Sequence, residues 1–179
     1  MNKIKRWGLV FAFTPFLQYV AAREAYTERA VAVVNPTKGS KVRGRLEFVH
    51  KMGVNPEVLQ ISGEISGLEP NSVHGFHIHE TGNCSGPNAE SAGGHFNPKN
   101  MPHGGPFSSK HHAGDLGNIL AGPNGVAVID MSTEDLKLEG KDGVLNRAVI
   151  IHEKIDDLNG QPSGNAGSRL ACGVIEKTN

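Results

Sequence analysis

Beyond its first 22 positions this 179-residue chain has no long apolar run, and no stretch of useful length repeats apolar residues at helical spacing. A helical bundle is thereby excluded. Aromatic residues make up only 6% of the chain and are not interleaved with lysine or arginine, and no basic run occurs, so the footprint of a nucleic-acid binder is missing. What the chain has instead is glycine, 23 residues of it, with 37% hydrophobic residues, a balance that suits one domain of short strands joined by many turns.

The single long apolar run is N-terminal. Lys3, Lys5 and Arg6 precede a mostly apolar stretch over 7–20, and Val20-Ala21-Ala22 offers small residues to a peptidase, the pattern of a secretory signal over 1–22. Pro15 and Gln18 interrupt the run and leave it short of the roughly 20 apolar residues of a membrane span. No stable membrane contact is therefore expected, and the lack of a cysteine near the cleavage point argues against a lipid-anchored form. Formal charge is zero for the whole chain, and losing three basic and no acidic residues with the leader brings the mature protein to −3. Residues 23–29 read as a charged, flexible lead-in and 30–177 as the folded domain.

Strands are expected over 30–34, 41–50, 58–68, 73–79, 125–132, 147–152 and 169–175. Leu59, Ile61, Gly63 and Ile65 alternate with Val58, Gln60, Ser62 and Glu64, the mark of a strand with one face on a core. Gly67-Leu68-Glu69-Pro70-Asn71, Gly122-Pro123-Asn124-Gly125 and Gly140-Lys141-Asp142-Gly143 supply turns between strands. The pattern predicts an all-β chain, an antiparallel Greek-key sandwich or flattened barrel. Two long loops stand outside it, 81–116 and 153–168, and a loop as long as the first is unusual in a compact domain unless it is functional or disordered.

Histidine carries the chemistry. His77 and His79 stand two apart on a predicted strand, so both imidazoles leave the same face while Phe76 and Ile78 point the other way. His95, His103, His112 and Asp115 follow in the Gly/Pro-rich loop, three nitrogens and one oxygen that suit a closed tetrahedral zinc shell. His152 ends the apolar run Ala148-Val149-Ile150-Ile151 and can join His77 and His79 from a neighbouring strand. Such an open, imidazole-rich site suits copper, iron, nickel or zinc on ligand type alone.

The segments His74-Gly75-Phe76-His77-Ile78-His79-Glu80, Gly94-His95-Phe96-Asn97-Pro98, His103-Gly104-Gly105-Pro106, His112-Ala113-Gly114-Asp115-Leu116-Gly117-Asn118, Ile151-His152-Glu153-Lys154 and Gly164-Asn165-Ala166-Gly167-Ser168-Arg169-Leu170-Ala171-Cys172-Gly173 resemble, in order, the motifs of copper/zinc superoxide dismutase. The likeness runs from about residue 30 to 176. It implies one copper per subunit on His77, His79, His95 and His152, one zinc on His95, His103, His112 and Asp115, and a bridging role for His95. His112 rather than His111 keeps the His-x-x-Asp spacing, and His111 reads as an exposed neighbour. By the same resemblance Arg169 sits beside the open copper position, Lys154 helps attract substrate, and Asp156, with Asp157 as its alternative, accepts hydrogen bonds from His77 and His103. His74 is implied to bond main chain, and His50 is read as exposed.

The implied activity is dismutation of superoxide to dioxygen and hydrogen peroxide, with superoxide as the partner and a homodimer left open. Two other classes remain open: a copper or zinc carrier or dismutase-like chaperone domain without turnover, and a zinc hydrolase or hydratase, for which a shared His95 has no use. With export to an oxidising compartment, periplasm if bacterial and otherwise extracellular, the two cysteines Cys84 and Cys172 are expected to form a disulfide. Cys84 falls five residues after His79, and the 153–168 loop is short and without a Glu/Lys-rich segment, a pattern nearer bacterial than animal members of the family.

Overall fold

The computed structural model describes residues 26–53 and 55–178. The leader expected over 1–22 and the start of the lead-in lie outside them. Among the described residues eight strands follow in order: β1 Tyr26–Pro36, β2 Arg43–Met52, β3 Val58–Ser66, β4 Val73–His79, β5 Asp115–Leu120, β6 Ala127–Thr133, β7 Ala148–His152 and β8 Arg169–Lys177. One turn of 3₁₀ helix, Glu90–Ala92, lies between β4 and β5. Hydrogen-bonded neighbours run β5-β4-β7-β8-β1-β2-β3-β6, every pairing antiparallel, and the two ends β5 and β6 come into contact to give a flattened barrel.

The period-2 pattern accounts for the inside of this barrel. On β1 the inward set is Ala30, Ala32 and Val34; on β2 it is Leu46 and Phe48; on β3, Leu59, Ile61 and Ile65; all are buried. Each such large side chain taken fully from water stabilises by about 1.5–3 kcal/mol. The same period corrects two expectations. β1 begins at Tyr26 rather than 30, because Tyr26 to Arg29 pair with Met52 to Val49, so the later part of the expected lead-in is strand. His50 is not exposed: it continues the inward series after Leu46 and Phe48 and is 2% exposed, opposite Glu28 of β1.

A strand that the pattern did not anticipate is β5. Its sequence Asp-Leu-Gly-Asn-Ile-Leu contains Gly117 and Asn118, residue types depleted from strands, and Gly117 has φ 83°. Pairing with β4, including a register shift between Gly75 and His77, overrides that weak local preference. The first long loop consequently ends at 114, two residues earlier than expected.

β4 and β7 are buried along nearly their whole length, unlike the half-buried β2 and β3. One face meets the barrel core through Phe76, Ile78, Val149 and Ile151, and the other is covered by the two long loops. Ala89 and Ala92 of the first loop form a second small cluster with Ala148, Ile150 and Cys172, against which Cys84 packs. The Cys84–Cys172 disulfide closes this contact and ties the loop to β8.

Candidate metal centre

The covered face of β4 and β7 carries His77, His79 and His152. The loop returns alongside the end of β4: His95 bridges to His79, Phe96 N–H donates to Ile78 O at 2.8 Å, and Gly114 N–H donates to Phe96 O at 2.9 Å. Gly114 is needed at that approach, since a Cβ there would lie 2.2 Å from Ile78 O. His77, His79, His95 and His152 thereby form one group whose donor atoms all lie within 4.8 Å of one another.

Hydrogen bonds to the outer nitrogens set which nitrogen of each ring faces inward. His79 Nδ1–H donates to Gly93 O at 2.9 Å and His152 Nδ1–H to Gly167 O at 3.3 Å, which leaves their bare Nε2 atoms 3.4 Å apart. His77 Nε2–H donates to Asp156 at 2.9 Å, and its Nδ1 is buried without a partner. Inward lone pairs that face one another, with no donor between them, fit a cation.

His95, His103, His112 and Asp115 form the second group, also with donor atoms mutually within 4.8 Å. Its members converge through Nδ1: His95 Nδ1 lies 2.7 Å and His112 Nδ1 3.1 Å from Asp115 Oδ1, and the two Nδ1 atoms are 3.4 Å apart. His103 Nδ1 stands 3.1 Å from Asp115 Oδ2 without hydrogen-bond geometry. Three imidazole nitrogens and one carboxylate oxygen fit tetrahedral zinc. His95 belongs to both groups, and with Nδ1 committed here its Nε2 is the nitrogen left for the other.

Asp156 joins the two groups from outside. One carboxylate oxygen accepts from His77 and the other accepts from His103 Nε2–H at 2.8 Å. Its own main chain is gripped by Asn118, whose amide accepts from Asp156 N–H at 2.7 Å and donates to Asp156 O at 3.0 Å. Gly164 seats the carboxylate, for a Cβ there would fall 1.6 Å from Asp156 Oδ1. Asp157 stays outside the site, holding Asn159 N–H within its own loop.

Burial dominates the electrostatics. It lowers His77 far below the ordinary imidazole range, takes His79 down to about 2 and His152 down to about 4, and lowers His112 as well. All four are neutral in the metal-free protein near neutrality, the state that a metal requires. For Asp115 burial acts upward, but the His95 hydrogen bond with the Gly104 and His112 N–H groups holds the carboxyl well below the usual range. Asp156 is raised, burial outweighing the opposing pull of His103.

Arg169 is the cross-strand partner of His152. Its guanidinium donates to Ala89 O at 2.5 Å and Gly93 O at 2.6 Å, so the first loop fixes the charge beside His79 and His152. Burial lowers its pKa, against which Glu90 acts.

Every ligand position read from the sequence is thus brought into one of the two groups. His74 bonds main chain as expected, its Nδ1–H donating to His152 O at 2.8 Å. His111 lies outside both groups but is only partly exposed, its Nδ1–H donating to His112 O at 2.7 Å. Two contributors escaped the sequence reading. Asn118 stood at the end of a quoted motif without a role, and Gln161, whose amide pairs with the main chain of His103, carried no signal in a turn-rich loop.

Comparison with known proteins places this geometry. A family model described as copper/zinc superoxide dismutase matches residues 42–175. Superoxide dismutase [Cu-Zn] 3 of Arabidopsis thaliana is 45% identical over 153 residues, covering 82% of this chain and 89% of that protein. Superoxide dismutase [Cu-Zn] 2 of Mesembryanthemum crystallinum is 40% identical, covering 82% and 94%. The extracellular superoxide dismutase [Cu-Zn] of Onchocerca volvulus is 44% identical over 157 residues, covering 82% and 75%. Among solved structures, that of the clock protein EA4 superposes with a TM-score of 0.74 at 39% identity, covering 84% of this chain and 94% of that one. With its barrel, its two histidine groups and a family match over most of its length, the chain belongs to the copper/zinc superoxide dismutase family.

Proposed function

We infer that this chain is an exported superoxide dismutase in which His77, His79, His95 and His152 hold copper and His95, His103, His112 and Asp115 hold zinc. The observation that carries the assignment of ligands is the sharing of His95 by two four-residue groups. Copper held by the first group would supply a one-electron acceptor and donor, the chemistry by which two superoxide ions and two protons become one dioxygen and one hydrogen peroxide. The protein's own contribution is geometry and charge. Gly93 O and Gly167 O orient His79 and His152, and Asp156 orients His77 and His103 together. With His95 Nδ1 engaged in the second group, its Nε2 is the nitrogen left for the first, and we assign to it one of the protons that the reaction consumes. Arg169, two of whose five donors are engaged by Ala89 and Gly93 carbonyls, offers a fixed positive charge to a diatomic anion.

Export is supported by the leader pattern, by the disulfide and by relatives named as extracellular from Onchocerca volvulus and Brugia pahangi. The compartment we propose is the cell exterior, or the periplasm in a bacterial host.

Metal analysis of purified protein together with pulse radiolysis tests the assignment. Copper and zinc near one each are expected, with a rate that falls as ionic strength rises, because exposed fields are screened over about 8 Å at physiological salt. Arg169→Glu should lower the rate far more than Arg169→Lys, by roughly 10-fold or more as the local field reverses, with metal content unchanged. A parent rate and salt slope in Arg169→Glu would remove Arg169 from substrate guidance, and zinc without copper would overturn the dismutase assignment.

A further inference from the structure

We propose that Gln161 is a positioning residue for His103, fixing one ligand of the zinc group from the neighbouring loop; the proposal rests on the zinc reading given above. His103 lies between the 3₁₀ turn and β5, in a segment that is in no strand. Its main chain is held by a side chain instead. The Gln161 amide oxygen accepts from His103 N–H at 3.0 Å and the amide nitrogen donates to His103 O at 2.8 Å. These two bonds reproduce what a paired strand would give, donor and acceptor of one residue satisfied together.

The consequence for His103 is a fixed ring. Its Cα is held through Gln161 and its Nε2 through Asp156 at 2.8 Å, and both holders belong to the 153–168 loop. With both ends set, Nδ1 is confined to its place 3.1 Å from Asp115 Oδ2. That loop is itself closed under Gln161 by Gly164 N–H to Gly160 O at 2.6 Å and Asp157 N–H to Gly164 O at 2.7 Å. Gln161 is exposed, so water can take over its hydrogen bonds when it is cut back. The fold should therefore tolerate the change while the aim of Nδ1 does not, since water restores the hydrogen bonds but not the restraint.

The test uses full-length protein loaded with copper and zinc, and the same protein with cobalt(II) in the zinc group as a spectroscopic probe. Gln161→Ala should release zinc to a chelator about tenfold faster, in the range of other residues that orient metal ligands, and should alter the cobalt visible bands. Gln161→Glu keeps the acceptor but loses the donor and should fall between Ala and parent. Thermal unfolding of the metal-free variants should match the metal-free parent. Parent-like zinc release and cobalt bands in Gln161→Ala would overturn the proposal. A metal-free variant destabilised as much as its metal-loaded form would also overturn it, by assigning Gln161 a structural role alone. A parent that gives no tetrahedral cobalt spectrum would instead overturn the zinc reading, and the proposal with it.

Discussion

The two halves of the metal centre are built in opposite ways. On the side we assign to copper, His77, His79 and His152 grow from β4 and β7, strands already ordered by the barrel core and by pairing on both sides. On the side we assign to zinc, His95, His103 and His112 stand on a loop whose order comes from local ties: a β-bridge, a disulfide with the small apolar cluster it closes, the Asp156 carboxylate and the Gln161 amide. Strands position ligands without help from the metal. A loop of this kind depends on its cross-links, so loss of any one should be felt first on the zinc side.

Acid gives the largest expected effect, one that the buried strand histidines dominate, and it acts on the metal-free protein. Burial holds His79 down to about 2 and His152 down to about 4, whereas in the unfolded chain both return to about 6.5. As pH falls below that ordinary value the unfolded chain binds protons that the folded protein refuses, so stability present in full above about 6.5 is lost progressively as pH falls toward 4. Each of these two histidines accounts for roughly 3 kcal/mol by pH 4. Denaturant titration of metal-free protein between pH 7 and pH 4 should follow this slope. Stability unchanged at pH 4.5 would mean that the rings are already protonated in the fold.

Reduction of Cys84–Cys172 ranks next. The bridge closes 88 positions of chain, worth on the order of 4 kcal/mol in the chain-entropy model. The loss should not be even. Ala89 and Ala92 lose their tether to Ala148 and Ile150, and with them the carbonyls of Ala89 and Gly93 that hold Arg169. Hydrogen exchange after reduction should rise across 81–114 more than in β4 or β7. A uniform rise would dissolve the contrast between strand-built and loop-built halves.

Asp156→Asn sharpens the comparison because the residue touches both sides. A carboxylate accepts from His77 and His103 at once, but an asparagine amide can accept from only one and turns an N–H toward the other. His77 retains its strand, whereas His103 loses one of its ties. Zinc affinity should fall by about 10–100-fold with copper retained more nearly at the parent level. Dialysis against graded chelator reads both metals in one experiment, and equal losses would show that the strand confers no advantage.

How much of this was legible in the sequence follows the same division. Period 2 exposed most strands and placed His77 and His79 on one face, because the signal for a half-buried strand is local. The same rule applied further would have found His50 inside, since it stands two after Phe48. β5 was hidden by Gly117 and Asn118, whose preference is overruled only by pairing with β4. The proposed zinc ligands were read from residue type and family likeness, and the ties that aim them were not. Asn118 and Gln161 grip main chain 38 and 58 positions away, contacts that leave no periodicity behind.

The smallest effect should come from the apolar residue most conspicuous on the zinc-side loop. Phe107 is 101% exposed and so gains nothing from burial in this subunit, although it stands at the rim of the apolar cleft between β5 and β6. If the loop were ordered by hydrophobic packing, as the barrel is, removing its large aromatic side chain would loosen it. If it is ordered by ligands, amides and the disulfide, Phe107→Ser should change stability by less than about 0.5 kcal/mol, as surface substitutions do, and should leave zinc release at the parent rate. Thermal unfolding and chelator-driven release measured on one preparation decide the matter. A clear loss in either would show that the ring covers apolar surface in solution, and order on the zinc side would then depend on packing as well as on its ties.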